Sequence, residues 1–299
     1  MSDETRAPAR TNPTTAKIPF RIELEGKVAV VTGGGGVLCS DFASALAANG
    51  AKVAVLDLNG DAAEATAKRL RDEGGRAIGV AANALERASL EAAAETVARE
   101  FGPCDLLLNG AGGNHPKGTT TKEWLEPSDV ADAALTTFFD LDPKSIEFVF
   151  NLNFLGTLLP TQAFARQMLG RSGCSIINVS SMNALRPLTK IPAYSGAKAA
   201  VSNFTQWLAV HFARAGIRVN AIAPGFFLSA QNRNLLIDAK TGEPTPRARK
   251  IIDHTPMGRF GQSHELIGTL LWLASEEASG FVNGIVVPVD GGFSAYSGV

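Results

Sequence analysis

The sequence is poor in cysteine, histidine and tyrosine, and each scarcity narrows what the protein can do. Its 299 residues include three cysteines, Cys39, Cys104 and Cys174. They lie far apart and form no CxxC pair, which argues against a disulfide framework and fits a reducing, cytoplasmic setting. The four histidines, His115, His211, His254 and His264, show no HExxH or other paired spacing, so no metal centre is expected. Neither sign of charge dominates: 28 Lys+Arg stand against 29 Asp+Glu, which disfavours nucleic acid as a partner. No apolar run approaches the roughly 20 residues of a membrane-spanning helix. Only two tyrosines occur, Tyr194 and Tyr296, so phenol chemistry has few places to reside.

Apolar residues are plentiful by contrast. At 45% of the chain against 19% charged, they can fill one large core and are too many for a disordered chain. Residues 1–19 mix charges, Thr and Pro without the apolar segment of a signal peptide and read as a flexible tail. Residues 20–299 read as a single domain. From Lys27, short β-branched runs alternate with Ala-rich stretches of helical character, the pattern of βα units. Strands are expected at KVAVVT (27–32), KVAVLD (52–57), AIGVAA (77–82), CDLLLN (104–109), CSIINVS (174–180), IRVNAIA (217–223) and GIVVPVD (284–290). Each is apolar along most of its length, as strands covered on both faces are. The expected fold is α/β, a Rossmann-type doubly wound sheet of seven parallel strands with helices on both faces. Two connections, near 113–142 and 225–261, exceed the usual length. Both follow the carboxyl end of a strand, where such sheets bind ligands, and are expected to form substrate loops or lids.

Four consecutive glycines, Gly33 to Gly36, follow the first strand and lead into a helix starting near Leu38. Glycines there let backbone amides at a helix N-terminus approach a pyrophosphate, which makes Gly33, Gly35, Gly36, Val37 and Leu38 candidates for cofactor binding. Asp57 ends the second strand, where a carboxylate accepts hydrogen bonds from a ribose diol and repels a 2′-phosphate. Leu58, rather than Arg or Lys, follows it. The predicted cofactor is NAD.

The sharpest chemical signal is Ser181, Tyr194 and Lys198. Four residues apart, Tyr194 and Lys198 share a helix face. A free phenol has a pKa near 10, too high for a general base at neutral pH, and an ammonium one turn away stabilises the phenolate. Ser181, at the end of a strand, can orient a carbonyl or alcohol. The set matches hydride transfer coupled to proton transfer.

In this order and spacing, the motifs resemble the short-chain dehydrogenase/reductase family from about Glu23 onward. TGGGGVLC (32–39) stands where the family has its glycine loop, NGAG (109–112) where it has NNAG, and NFLG (153–156) where it carries a fourth catalytic residue. YSGAK (194–198) is the YxxxK motif, and NAIAPGFF (220–227) the segment facing the nicotinamide. The resemblance implies that Asn153 supports a water-linked proton relay to Lys198, which also holds the nicotinamide ribose. It places Asn83 and Ala84 beside the adenine, lines the cofactor with Asn109, Gly110 and Ala111, and sets Pro224, Gly225 and Phe227 against the nicotinamide. It also implies a homotetramer.

Several positions depart from the family pattern. Aligned without a gap, Val37 and Cys39 replace the second and third loop glycines, where side chains obstruct the pyrophosphate and helix packing. Gly110 replaces the second Asn of NNAG, and Ser229 a common Thr. The expected consequence is altered cofactor affinity with the chemistry unchanged.

The segments GAGGNHPKGTTT, SSMNALRPLTKIPAYS and HTPMGRFG are similar to those of the family branch that interconverts a 5-keto hexuronate and its aldonate. This implies a small sugar-acid substrate. Its candidate contacts are Asn114, His115, Ser181, Asn183, Arg186, Lys190, Tyr194 and Arg233, since Arg and Lys suit a carboxylate and Asn suits hydroxyls. Two alternatives remain: another NAD-dependent polyol or sugar-acid dehydrogenase, such as a gluconate 5-dehydrogenase, and a nucleotide-sensing protein without turnover.

Overall fold

A computed structural model describes residues 22–228, 236–238 and 241–298. The expected tail, Ser229 and the candidate Arg233 lie outside the described residues. All seven expected strands form: β1 (Val28–Thr32), β2 (Lys52–Asp57), β3 (Arg76–Ala81), β4 (Leu106–Asn109), β5 (Cys174–Val179), β6 (Ile217–Pro224) and β7 (Val286–Val289). Their order is β3-β2-β1-β4-β5-β6-β7, and every neighbouring pair is parallel. The domain is therefore a single Rossmann-like α/β unit.

The central strands are apolar on both faces because helices cover both. In β1, Ala29 and Val31 join one core with Phe42, Leu46 and Leu270, whereas Val28 and Val30 join the other with Phe164, Met168 and Leu208. Alternation along one strand thus feeds two separate cores. Helix α1 (Val37–Ala48) lies against the first core; α2 (Gly60–Asp72) is capped by Asn59, whose side chain accepts the N–H groups of Asp61 and Ala62. Helix α3 spans Arg87–Phe101, and α4 (Pro143–Phe150) runs through a π turn at Asn151–Leu155 into α5 (Gly156–Phe164). Such turns widen a helix by one residue and recur at functional sites. The long helix α6 (Pro192–Phe212) opens on proline, which suits a first helical position.

The two long connections carry short elements. The first holds 3₁₀ turns at Pro116–Gly118, Pro127–Ala131 and Phe138–Asp140. The second holds α7 (Pro246–Asp253), and Lys250 on that helix pairs with Glu123 in the first connection. Helix α8 (Ile267–Ala274) closes the sheet's first face. No helix among the described residues is long and apolar enough to cross a membrane.

Candidate active site

The strand order reverses direction between β1 and β4, and the glycine loop lies there. Gly33 adopts φ +66, and a Cβ on it would stand 3.0 Å from the backbone of Ala111, so both conformation and space require glycine. Gly36 is the N-cap of α1 and supplies no side-chain cap. The first N–H groups of that helix are thereby left to an anion. Asp57 holds the loop from β2: one carboxylate oxygen accepts the Gly35 N–H at 3.1 Å and the other the Asn59 N–H at 3.0 Å. Each oxygen retains lone pairs for a ribose diol. The residues present therefore fit a dinucleotide.

Val37 and Leu38 open α1 with partly exposed side chains, and Leu58 beside Asp57 is 74% exposed. The third replaced glycine position has a different outcome from the one expected. Cys39 is buried, and a Cβ on Gly110 would fall 2.2 Å from its Sγ and 2.8 Å from the Thr32 carbonyl oxygen. Two departures from the family pattern are thus a single exchange of volume: the thiol fills the space that Gly110 leaves. Burial pushes the Cys39 thiol up to about 12, so it is neutral packing material. Thr32 completes the junction by accepting the N–H groups of Gly110 and Ala111.

Asn83 turns its amide inward on its own loop, donating to Glu86 and accepting the Leu85 N–H; Ala84 beside it is half-buried. At the other end, Pro224 closes β6. A Cβ on Gly225 would lie 2.6 Å from Asp290, and the buried Phe227 ring packs against Gly261.

Of the four expected catalytic side chains, Asn153 and Lys198 close on Gly112, while Ser181 and Lys198 each flank Tyr194. A Cβ on Gly112 would lie 2.7 Å from Asn153 Oδ1 and 3.1 Å from Lys198 Nζ. Asn153 Nδ2 donates to the carbonyls of Gly113 and Val149, each at 2.7 Å, and Oδ1 accepts the Gly113 N–H at 3.2 Å. Lys198 Nζ donates to the Val179 carbonyl at 2.7 Å and lies 5.8 Å from the centroid of the Tyr194 ring. Ser181 lies beside the Tyr194 phenol, where it favours the ionised form, and its Oγ accepts the Asn183 N–H at 3.2 Å.

The electrostatics correct one expectation. Burial raises the Tyr194 pKa, opposed by the neighbouring Ser181, and it lowers Lys198 to about 8. Charge proximity alone predicts a depressed phenol. Desolvation acts the other way: Tyr194 is partly and Lys198 fully buried, which disfavours phenolate and ammonium alike.

A buried polar chain beneath the site is absent from the motif reading. Asn109 Nδ2 donates to Thr161 Oγ1 on α5 and to Asn178 Oδ1 on β5, at 3.0 and 2.9 Å. Asn178 Nδ2 donates to Thr205 on α6; Thr161 donates to the Thr157 carbonyl, and Thr157 to the Asn153 carbonyl at 2.9 Å. Asn109 is 1% exposed, so its side chain belongs to this chain rather than to the crevice surface. The signal available in the sequence is the Thr157/Thr161 pair, one helical turn apart in an apolar stretch, together with Asn178 inside an apolar strand.

The substrate candidates divide. Asn114 is bonded to Thr119; His115 accepts the Lys117 N–H and packs edge-on against Phe148. Asn183 is 5% exposed, yet its Oδ1 has no hydrogen-bond donor. Among the described residues Arg186 and Lys190 make no ion pair.

Comparison with known proteins adds a lineage to this geometry. The short chain dehydrogenase family profile matches residues 27–239. An uncharacterized oxidoreductase of Haemophilus influenzae is 58% identical, covering 95% of this chain and 99% of its own. A Haemophilus structure with bound NAD, to which D-mannonate oxidoreductase activity is ascribed, is 57% identical with a TM-score of 0.90, covering 95% of this chain and all of its own. A gluconate 5-dehydrogenase from Burkholderia cenocepacia, solved with NADP and tartrate, is 32% identical with a TM-score of 0.78, covering 93% and 99%.

Proposed function

The chain belongs to the short-chain dehydrogenase family, and on that premise we propose that it is an NAD-dependent oxidoreductase of a sugar acid, reducing D-fructuronate to D-mannonate. The observation that carries the chemistry is that Asn153 and Lys198 close on Gly112 while Lys198 and Ser181 flank the Tyr194 side chain. The substrate reading rests on likeness to the Haemophilus structure with NAD over 95% of the chain. The bland alternative of a nucleotide sensor does not call for a phenol flanked by a hydroxyl and a buried lysine.

The glycine loop, the uncapped start of α1 and Asp57 would hold the dinucleotide. When bound, it supplies the hydride that adds to substrate C5. Ser181 would hydrogen-bond the keto oxygen and draw charge onto it. Tyr194 would deliver the proton that turns that oxygen into the alcohol, so the phenol is required protonated in reduction and ionised in oxidation. Lys198 would compensate the phenolate after proton loss, and Asn153, fixed to the Gly113 backbone, would sustain the proton supply. NAD rather than NADP is supported by the Asp57 carboxylate, which opposes a 2′-phosphate.

Oligomer formation, as a homotetramer, is supported by an apolar face on α4 and α6 where Phe148, Phe150, Trp207 and Val210 are exposed. A panel of keto acids assayed for NADH and NADPH oxidation tests the whole reading. D-fructuronate with NADH is expected to give the highest kcat/KM, and Tyr194→Phe to lower kcat at least a hundredfold while NADH binding persists. Undiminished turnover in Tyr194→Phe would remove the catalytic assignment.

A further inference from the structure

We propose that Lys190 is the cation that holds the substrate carboxylate; this rests on the sugar-acid reading above and names the group that enforces it. The segment between Ser181 and Tyr194, SMNALRPLTKIPAY, carries two cations, Arg186 and Lys190, and no acidic residue. Neither cation makes an ion pair among the described residues. Arg186 is exposed and its guanidinium donates only to the adjacent Leu185 carbonyl, at 3.4 Å. Lys190 differs in being held. Its φ of +75 makes it the one described non-glycine residue in the left-handed region, a conformation that costs an L-residue free energy and persists only where its surroundings impose it.

Those surroundings are the two elements that border the catalytic phenol. The Lys190 carbonyl accepts the Thr120 N–H at 2.9 Å, which ties it to the first long connection. Gly118 in that connection lies against Ala193, the residue before Tyr194. On the other side Pro192 starts α6, so Lys190 is two residues from a rigid helix whose third residue is Tyr194. Lys190 is half-buried, where an ammonium is less screened than at the open surface. In a 5-keto hexuronate the carboxylate lies toward the other end of the carbon chain from the carbonyl being reduced. A cation carried by a tethered backbone on the border, rather than among the reacting groups, meets that layout.

The test uses the full-length protein with NADH, comparing Lys190→Gly with wild type on D-fructuronate and on 5-keto-D-fructose, which has the keto group without the carboxylate. Removing one charge-assisted hydrogen bond is expected to raise KM for fructuronate about tenfold or more. The expected kcat is within about threefold of wild type, the KM for NADH unchanged, and the neutral substrate turned over as by wild type. The melting temperature should hold or rise, since glycine relieves the left-handed strain. An unchanged fructuronate KM, or an equal loss on both substrates, overturns the assignment to Lys190 while leaving the sugar-acid reading standing. A wild-type protein inactive on every keto hexuronate overturns that reading, and the subsite with it.

Discussion

Lys198 is 3% exposed and makes a 2.7 Å bond to the Val179 carbonyl, which makes Lys198→Met a quantitative test of how this site is built. Burial lowers the lysine from 10.5 to about 8, so at about 1.4 kcal/mol per tenfold change in proton affinity the buried ammonium costs the fold about 3 kcal/mol. The sign follows from proton uptake. Between pH 8 and 10.5 the unfolded chain binds the proton and the folded chain does not, so the cost is fully present below pH 8 and disappears as pH rises through 10.5. Methionine removes the charge but strands the Val179 carbonyl, returning about 1 kcal/mol. The net gain at pH 7 is about 2 kcal/mol, or roughly 4 °C in Tm for a chain of this size. Urea unfolding of both proteins at one concentration, from pH 7 to 10, should show the advantage of the variant shrinking steadily and reversing near pH 10. A variant less stable than wild type at pH 7, or a difference independent of pH, would refute the claim that Lys198 is held against its own solvation. Loss of turnover in the same variant would place the site among those that trade stability for function.

Two further outcomes test the surroundings of the site. Gly110→Ala is expected to destabilise by about 1–3 kcal/mol through overlap with the Cys39 thiol, and Cys39→Ala to relieve part of that, giving a coupling of about 1 kcal/mol in a double-mutant cycle read by urea unfolding. Additive effects would show the two positions to be independent. Thr161→Val keeps the shape but removes the hydroxyl between Asn109 and the Thr157 carbonyl; a loss of about 1–2 kcal/mol is expected by the same measurement, and no loss would mean that the buried chain adds nothing to stability.

The fold was legible because burial on both faces leaves strands unmistakable. KVAVLD appears as β2 with the expected ends, and the other six strands match within two residues at each end. Helix α3 was equally plain, since RASLEAAAETVAREF places Leu90, Ala93, Ala94 and Val97 on one buried face and ends at Gly102. Helices α4 and α5 were not, because Phe148, Phe150 and Phe154 spread apolar groups around the axis while Gly156 and Pro160 interrupt the helical run; the π turn resolves the conflict by shifting the face that Asn153 presents. The catalytic positions could be read because their chemistry depends on spacing along one helix. What spacing cannot convey is solvation, and so the depression of Lys198 emerges only in three dimensions. The same limit applies to Cys39: along the chain it reads as an obstruction in a glycine loop, yet the space it fills belongs to Gly110, 71 residues later. A substitution that looks adverse in one motif is here compensated in another, which is why the two motifs have to be judged as a pair before cofactor affinity is inferred from either.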